Sequence, residues 1–281
     1  MTMPSTKIIM FNAAASLVAI GAVVGVVRTW LGPSSLRACS ERYATSMAFP
    51  LERDGVVLTA TDIQARTGGK DAGLLENLSV ARLKKGPSPV AMSVELPKGS
   101  AAPTSSVVPK GGISFPWQPR ALKDKSTVCL SYQILLPSDF DFNLGGALPG
   151  LIGQADQSTD RFLVRLGWQQ GGGISVTNFV TLDGKKFRQV ADGEGATIPR
   201  GRWVQLDQEV VLNGADQENG ILRVWVDGSL VIDKADFAYR VKPDISLAGV
   251  AADLFYNGED ISARAPADAR VWLSPFEIRW P

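Results

Sequence analysis

Two pairs of closely spaced carboxylates, Asp139 with Asp141 and Asp207 with Glu209, are the chain's most direct candidates for acid–base work. Cleaving a glycosidic bond by hydrolysis needs two carboxyl groups facing one another across a cleft. The close-set Glu-x-Asp-x-x-Glu strand motif of sandwich glycosidases is missing, so these acids read as solvated strand faces or turns. Residue types exclude other chemistries. With no histidine, the chain lacks the commonest base near neutral pH and the commonest metal ligand, and its two cysteines cannot build a zinc cluster. No metal or cofactor is therefore expected, although Asp side chains and backbone carbonyls leave calcium open. Phosphate-loop, dinucleotide and nucleophile-elbow patterns are absent, and Gly145-Gly146 and Gly171-Gly-Gly173 read as turns. A net charge of +1, from 29 basic and 28 acidic residues, provides no field to gather nucleic acid.

The elements that must position any site are strands. Gly, Pro, Ser and Thr punctuate the body at short intervals, and no segment after residue 31 keeps a helical period. Across 201–212, Val204, Leu206, Val210 and Leu212 share one face while Gln205, Asp207 and Glu209 share the other; only Gln208 breaks the alternation. Asp227-Gly228, between Ile221–Val226 and Ser229–Ile232, is a type I′ hairpin signal, because both turn positions need positive φ. Further strands are expected near 55–62, 90–96, 126–136, 161–168, 174–181, 246–254 and 269–280, with 97–112 as a long surface loop. Two packed antiparallel sheets follow as the fold class, all-β.

Residues 8–27 form the one long uncharged apolar run, bounded by Lys7 and Arg28. Twenty helical residues at about 1.5 Å each match the roughly 30 Å core of a bilayer, and Trp30 falls at interfacial depth. A cleavable signal peptide competes, but the run exceeds the usual apolar length and no small-x-small site follows; a buried core helix would carry a polar face. The expectation is a single-pass inner-membrane anchor over 1–31, with the domain 32–281 in the periplasm or outside the cell. Cys39 and Cys129 in such a body allow one disulfide, pinning the post-anchor segment to a strand, or two separate thiols.

Three short motifs in order carry a resemblance: Phe140-Asp-Phe-Asn-Leu-Gly-Gly-Ala-Leu-Pro-Gly-Leu-Ile-Gly153, Arg161-Phe-Leu-Val-Arg-Leu-Gly-Trp168, and Gly201-Arg-Trp203 leading into the Val-Trp-Val-Asp-Gly hairpin. Over roughly 125–280 the chain resembles the alginate and glucuronan lyase-like proteins of polysaccharide lyase family 14. The resemblance implies a concanavalin-like jelly-roll β-sandwich whose concave sheet holds a polysaccharide, with β-elimination as the reaction. Elimination needs a group to neutralise the uronate carboxylate, a base for the adjacent ring proton and an acid for the leaving oxygen. Arg165 and Arg161 match the family's arginine-bearing strand and would neutralise the carboxylate. Family members carry a lysine just before Leu-Pro-Gly, where this chain has Ala147, and a tyrosine pair on the next strand, where it reads Ile174-Ser-Val-Thr-Asn-Phe179.

Replacements for the base must come from elsewhere: Lys185 first, then Lys186, Arg188, Tyr239 or Tyr256. Trp168, Gln169, Asn178 and Tyr256 suit sugar binding, since ring faces stack on sugars and amides bond hydroxyls. Trp203 and Trp225 fit either the concave surface or the opposite side. The expected role is binding an anionic polysaccharide on a degenerate lyase scaffold. The alternatives are an active lyase with a relocated base and a structural subunit of an envelope or polysaccharide-secretion complex.

Overall fold

Alternation along the strands sorts side chains into a shared interior and two outer faces. The structure, a computed structural model, describes residues 36–281 except residue 157. The expected membrane span at 8–27 lies outside the described residues, and among those described no helix is long and apolar enough to cross a membrane. Residues Arg37–Pro281 form one unit.

Two large antiparallel sheets make the sandwich. Among the described residues the nine-stranded sheet runs in the order Ser229–Phe237, Gly220–Val226, Trp203–Val211, Thr127–Leu135, Ala269–Leu273, Val90–Leu96 and Leu78–Arg82, with Glu277–Trp280 joining Thr127–Leu135 to Thr45–Ala48. The eight-stranded sheet runs Lys185–Thr197, Gly173–Leu182, Arg161–Trp168, Gly150–Ala155, Ile245–Ala251 and Pro116–Trp117, with Gly146–Ala147 and Phe255–Tyr256 beside the arginine strand. Between them lies one core that includes Leu130, Ile134, Val164, Leu166, Val204, Leu206 and Val250.

Gln208 explains its own break in the pattern. It faces the core with Leu206 and Val210, and its amide spans the sheets, donating to the Val164 carbonyl at 2.9 Å and accepting from the Leu151 N–H at 3.1 Å. A buried amide satisfied at both ends fixes how one sheet sits on the other.

The Asp227-Gly228 turn forms as expected, with φ of 49° and 77° at the two positions. A second Asp-Gly turn, Asp183-Gly184 with φ of 47° and 76°, joins Gly173–Leu182 to Lys185–Thr197. The strand it introduces has no apolar alternation to announce it. Other expectations need correction. Over 55–62 the chain makes only the two-residue strand Val56–Val57 before turning into the helix Ala60–Gln64, started by a capping box between Thr59 and Asp62. The strand expected over 269–280 is split at Ser274-Pro275, since proline has no N–H for the ladder.

Cys39 and Cys129 are joined by a disulfide. It fastens the segment 37–43, just ahead of the strand Thr45–Ala48, over the outer face of the nine-stranded sheet, which changes the status of two acids read above as solvated. Asp207 and Glu209 are fully buried there. Glu209 is paired with Arg42 at 2.6 Å and Arg223 at 3.0 Å and accepts the Tyr43 hydroxyl, whose own pKa burial and that bond push up to about 12. Trp225, opposite Asp207 in the ladder, is fully buried on the same face, with Arg42 5.8 Å from its ring, so it seals this side.

Burial also raises the Asp207 carboxyl's pKa. The folded protein thus holds this proton more tightly than the unfolded chain, and the stability it gives is complete below the ordinary carboxylate range and lost as pH rises through the folded pKa. Asp207→Asn is expected to leave stability nearly unchanged near about pH 3 and to raise it near about pH 7, as read from the urea midpoint at each pH. An unchanged midpoint at neutral pH would contradict this. Asp207 and the two cysteine sulfurs also lie within 4.8 Å of one another, but a disulfide offers no thiolate to a metal.

Candidate functional site

The arginine strand faces outward at odd positions and inward at even ones. Register carries its outward residues across the sheet: Arg165 stands opposite Thr177 and Thr177 opposite Val190, while Gly167 stands opposite Ser175 and Ala147 and Ser175 opposite Asp192. Residues directly opposite in an antiparallel pair share a face. Arg165 thus sits amid Ala147, Gly167, Ser175, Thr177 and Val190.

Arg165 is held rather than free. Its Nη1 lies 3.3 Å from Asp253, a buried carboxylate that also accepts from the Ser114 hydroxyl at 2.7 Å. Its guanidinium carbon rests 4.8 Å from the Phe179 ring centre and 5.4 Å from that of Phe255. Clamped between two rings with one nitrogen spoken for, the fork keeps its other N–H groups for a carboxylate, and the rings slow its rotation. Such a group neutralises charge well and transfers protons badly, because arginine stays protonated.

The carboxylate in contact with it, Asp253, is already paired with the guanidinium, and none of the tyrosines stands free beside it. All four tyrosines are engaged elsewhere: Tyr132 and Tyr239 in the core, Tyr43 with Glu209 on the opposite sheet, and Tyr256 buried with its hydroxyl donating to the Asp141 carbonyl. Burial pushes the hydroxyls of Tyr132, Tyr239 and Tyr256 above their ordinary range, further from use as acids or bases.

Several expected site residues sit elsewhere, for reasons of parity and distance. Trp168 is three residues from Arg165, so it points into the core, donating its indole N–H to the Phe142 carbonyl at 3.0 Å and packing edge-on against Phe140 and Tyr256. A Cβ at Gly146 would come within 1.9 Å of the indole, which is why that neighbour lacks a side chain. Asn178 stands opposite Val164 on the buried face, and its amide donates to Gln189 and to the Ala238 carbonyl. Trp168, Asn178 and Tyr256 therefore present no surface to a sugar. Lys185 is five residues along its strand from Val190 and two strands from Arg165, about 19 Å away by ladder spacing, so it does not meet the arginine.

Arg161 and Gln169 are exposed. Arg161 shares the outer face about 13 Å from Arg165 along the strand, and Gln169 donates to Asp192 at 2.7 Å, closing the upper end of the face. The sequence reading missed Asp253, Phe179 and Phe255, the residues that hold Arg165. Only register brings them together, although Phe179 shares the parity of Thr177 and was legible to that extent.

The family model for polysaccharide lyase 14 matches residues 84–276. No curated protein sequence matches the chain. Among solved structures, the marine PL-14 alginate lyase from Aplysia kurodai superposes with a TM-score of 0.67 at 20% identity, covering 85% of this chain and 99% of its own. An alginate lyase from Chlorella virus gives a TM-score of 0.63 at 17% identity, covering 79% and 97%. The endo-β-1,4-glucuronan lyase from the fungus Trichoderma reesei gives 0.51 at 11%, covering 77% and 90%. At these identities the likenesses establish a shared fold, and the family model, spanning more than half of the sequence, establishes kinship. The chain belongs to polysaccharide lyase family 14.

Proposed function

We propose that this protein binds an anionic polysaccharide on the outer face of its eight-stranded sheet without cutting it. One observation carries the reading: Arg165 is in place to neutralise a uronate carboxylate, the outward positions beside it are Ala147, Gly167, Ser175, Thr177 and Val190, and the carboxylate it touches, Asp253, is paired with the arginine itself and with Ser114. A structure of the same fold, a lysine–tyrosine double variant of an alginate lyase, is described in complex with alginate tetrasaccharide; its TM-score is 0.60 at 16% identity. It supports the reading in form, since a scaffold of this kind holds the sugar with its lysine and tyrosine removed. The apolar run at 8–27 supports a membrane tether that places the domain outside the cytoplasm.

Incubation with a panel of uronate polysaccharides tests this directly. The parent protein is expected to bind at least one of them and to generate no absorbance from unsaturated product. Arg165→Ala is expected to weaken that binding roughly tenfold, the share of one charge-assisted pair. Product formation that disappears in Arg165→Ala would instead make the protein a lyase with a relocated base. Failure to bind any uronate, with a protein partner co-purifying through the N-terminal segment, would favour the structural subunit.

A further inference from the structure

Away from Arg165, one edge of the same sheet carries chemistry that this reading does not use. Two cavities meet there at Gln118, which lines both, one of 200 Å³ and one of 190 Å³. The first is rimmed by the exposed cations Arg120 and Lys123, neither in an ion pair among the described residues; Asp156 is the one carboxylate on it. The second lies on the inward side of the edge strand, where Trp117, opposite the buried Val250, stands edge-on to Phe49 with centroids 5.5 Å apart at 71°. Gln118 donates from Nε2 to Gln154 Oε1 at 3.0 Å, which leaves the Gln118 carbonyl oxygen and the Gln154 NH₂ for an outside partner.

Register extends this edge across the sheet. Ser246 stands opposite Gln154, Gln154 opposite Arg161, Arg161 opposite Thr181, and Thr181 opposite Lys186. All five side chains are polar and share the outer face, a line of about 19 Å at ladder spacing. The adjacent row of Ile152, Leu163 and Phe179 is apolar and separates this line from Arg165. Hydrogen-bonding groups of both kinds, with cations at each end, form a surface for an extended, hydroxyl-rich anion.

We propose that the edge formed by Gln118, Arg120, Lys123, Gln154 and Ser246 is a second binding site for an acidic saccharide, which engages a later stretch of the chain held at Arg165. The inference rests on the polysaccharide-binding reading. The recognised group is a carboxylate or a sulfate on a sugar. Two sites on one polymer raise its affinity through effective concentration, a gain unavailable to an oligomer too short to reach both.

The test compares long alginate, an alginate tetrasaccharide and a sulfated glucan, each titrated into the full chain and into Arg120→Glu/Lys123→Glu. Both positions are exposed, so the charge reversal leaves the core untouched. Expected is a loss of at least tenfold in affinity for the long polymer with tetrasaccharide affinity unchanged, and a smaller loss in Arg120→Gln/Lys123→Gln. Loss confined to the sulfated glucan would support the site and assign it sulfate. Affinity unchanged by the charge reversal for both the long alginate and the sulfated glucan overturns the second site and leaves the Arg165 reading standing. Equal losses for tetrasaccharide and polymer overturn it too, by showing no independent site. A parent protein that binds the sulfated glucan but neither alginate length, with the charge reversal abolishing it, sinks the Arg165 reading alone; binding to none of the three sinks both.

Discussion

Loss of the Cys39–Cys129 bond is expected to cost about 4–5 kcal/mol, the largest single effect available in this chain. The two cysteines are 90 residues apart in sequence, so the bond closes a long loop in the unfolded chain, and loop-closure entropy for about a hundred residues is of this size. Its partner strand, Thr127–Leu135, lies at the centre of the nine-stranded sheet, with neighbours on both sides. Cys39→Ser/Cys129→Ser, compared with the parent in urea without reductant, should show a midpoint lowered to match. Because both sulfurs are buried, reductant added to the native parent should act slowly, limited by opening of the 37–43 segment. A double variant as stable as the parent would show that the segment holds without its staple.

Nearly as large is the effect of stranding Glu209. This carboxylate is fully buried, and its compensation comes from Arg42 and Arg223, each about a quarter exposed. Removing both arginines leaves an uncompensated charge in the interior, expected to cost about 3–5 kcal/mol. The reverse replacement distinguishes charge from packing. Arg42→Met/Glu209→Leu/Arg223→Leu, which removes the whole cluster, should recover most of that stability or exceed the parent, because a buried ion cluster seldom outperforms well-packed apolar side chains. If the triple variant is as unstable as the double, the cluster acts through shape and not through charge. Disulfide and ion cluster hold the same segment, so their combined loss should be smaller than the sum.

Both effects arise on the sheet opposite Arg165, which separates stability from binding in any experiment. The function itself turns on a small number of positions. Arg165 is kept in one pose by Asp253, Phe179 and Phe255, whereas the surrounding row is made of side chains too small or too inert to move a proton. This division is the physical case for holding a chain without cutting it.

Much of the sandwich was legible in the amino-acid sequence. Alternation across 201–212 and the Asp-Gly turn at 227–228 depend on side-chain period and backbone sterics alone, and both are properties of neighbouring residues. The family motifs were equally local. Even the inward direction of Trp168 was readable from parity, since a residue three positions from an outward arginine must point the other way. Lys185–Thr197 escaped because it is an edge strand, and its glycines and charges carry no buried face to impose a pattern.

Long-range placement was the work of the tertiary structure. Whether Asp207 and Glu209 meet water depends on a segment more than 150 residues earlier, and period-two alternation cannot distinguish a solvated face from one covered by another part of the chain. The pairing of Arg165 with Asp253, the distance of Lys185 from it, and the bond from Gln118 to Gln154 likewise depend on register between distant strands. Sequence thus determined which face of each strand a residue occupies; tertiary structure decided what stands against that face, because burial and electrostatics depend on contacts that the local pattern does not encode.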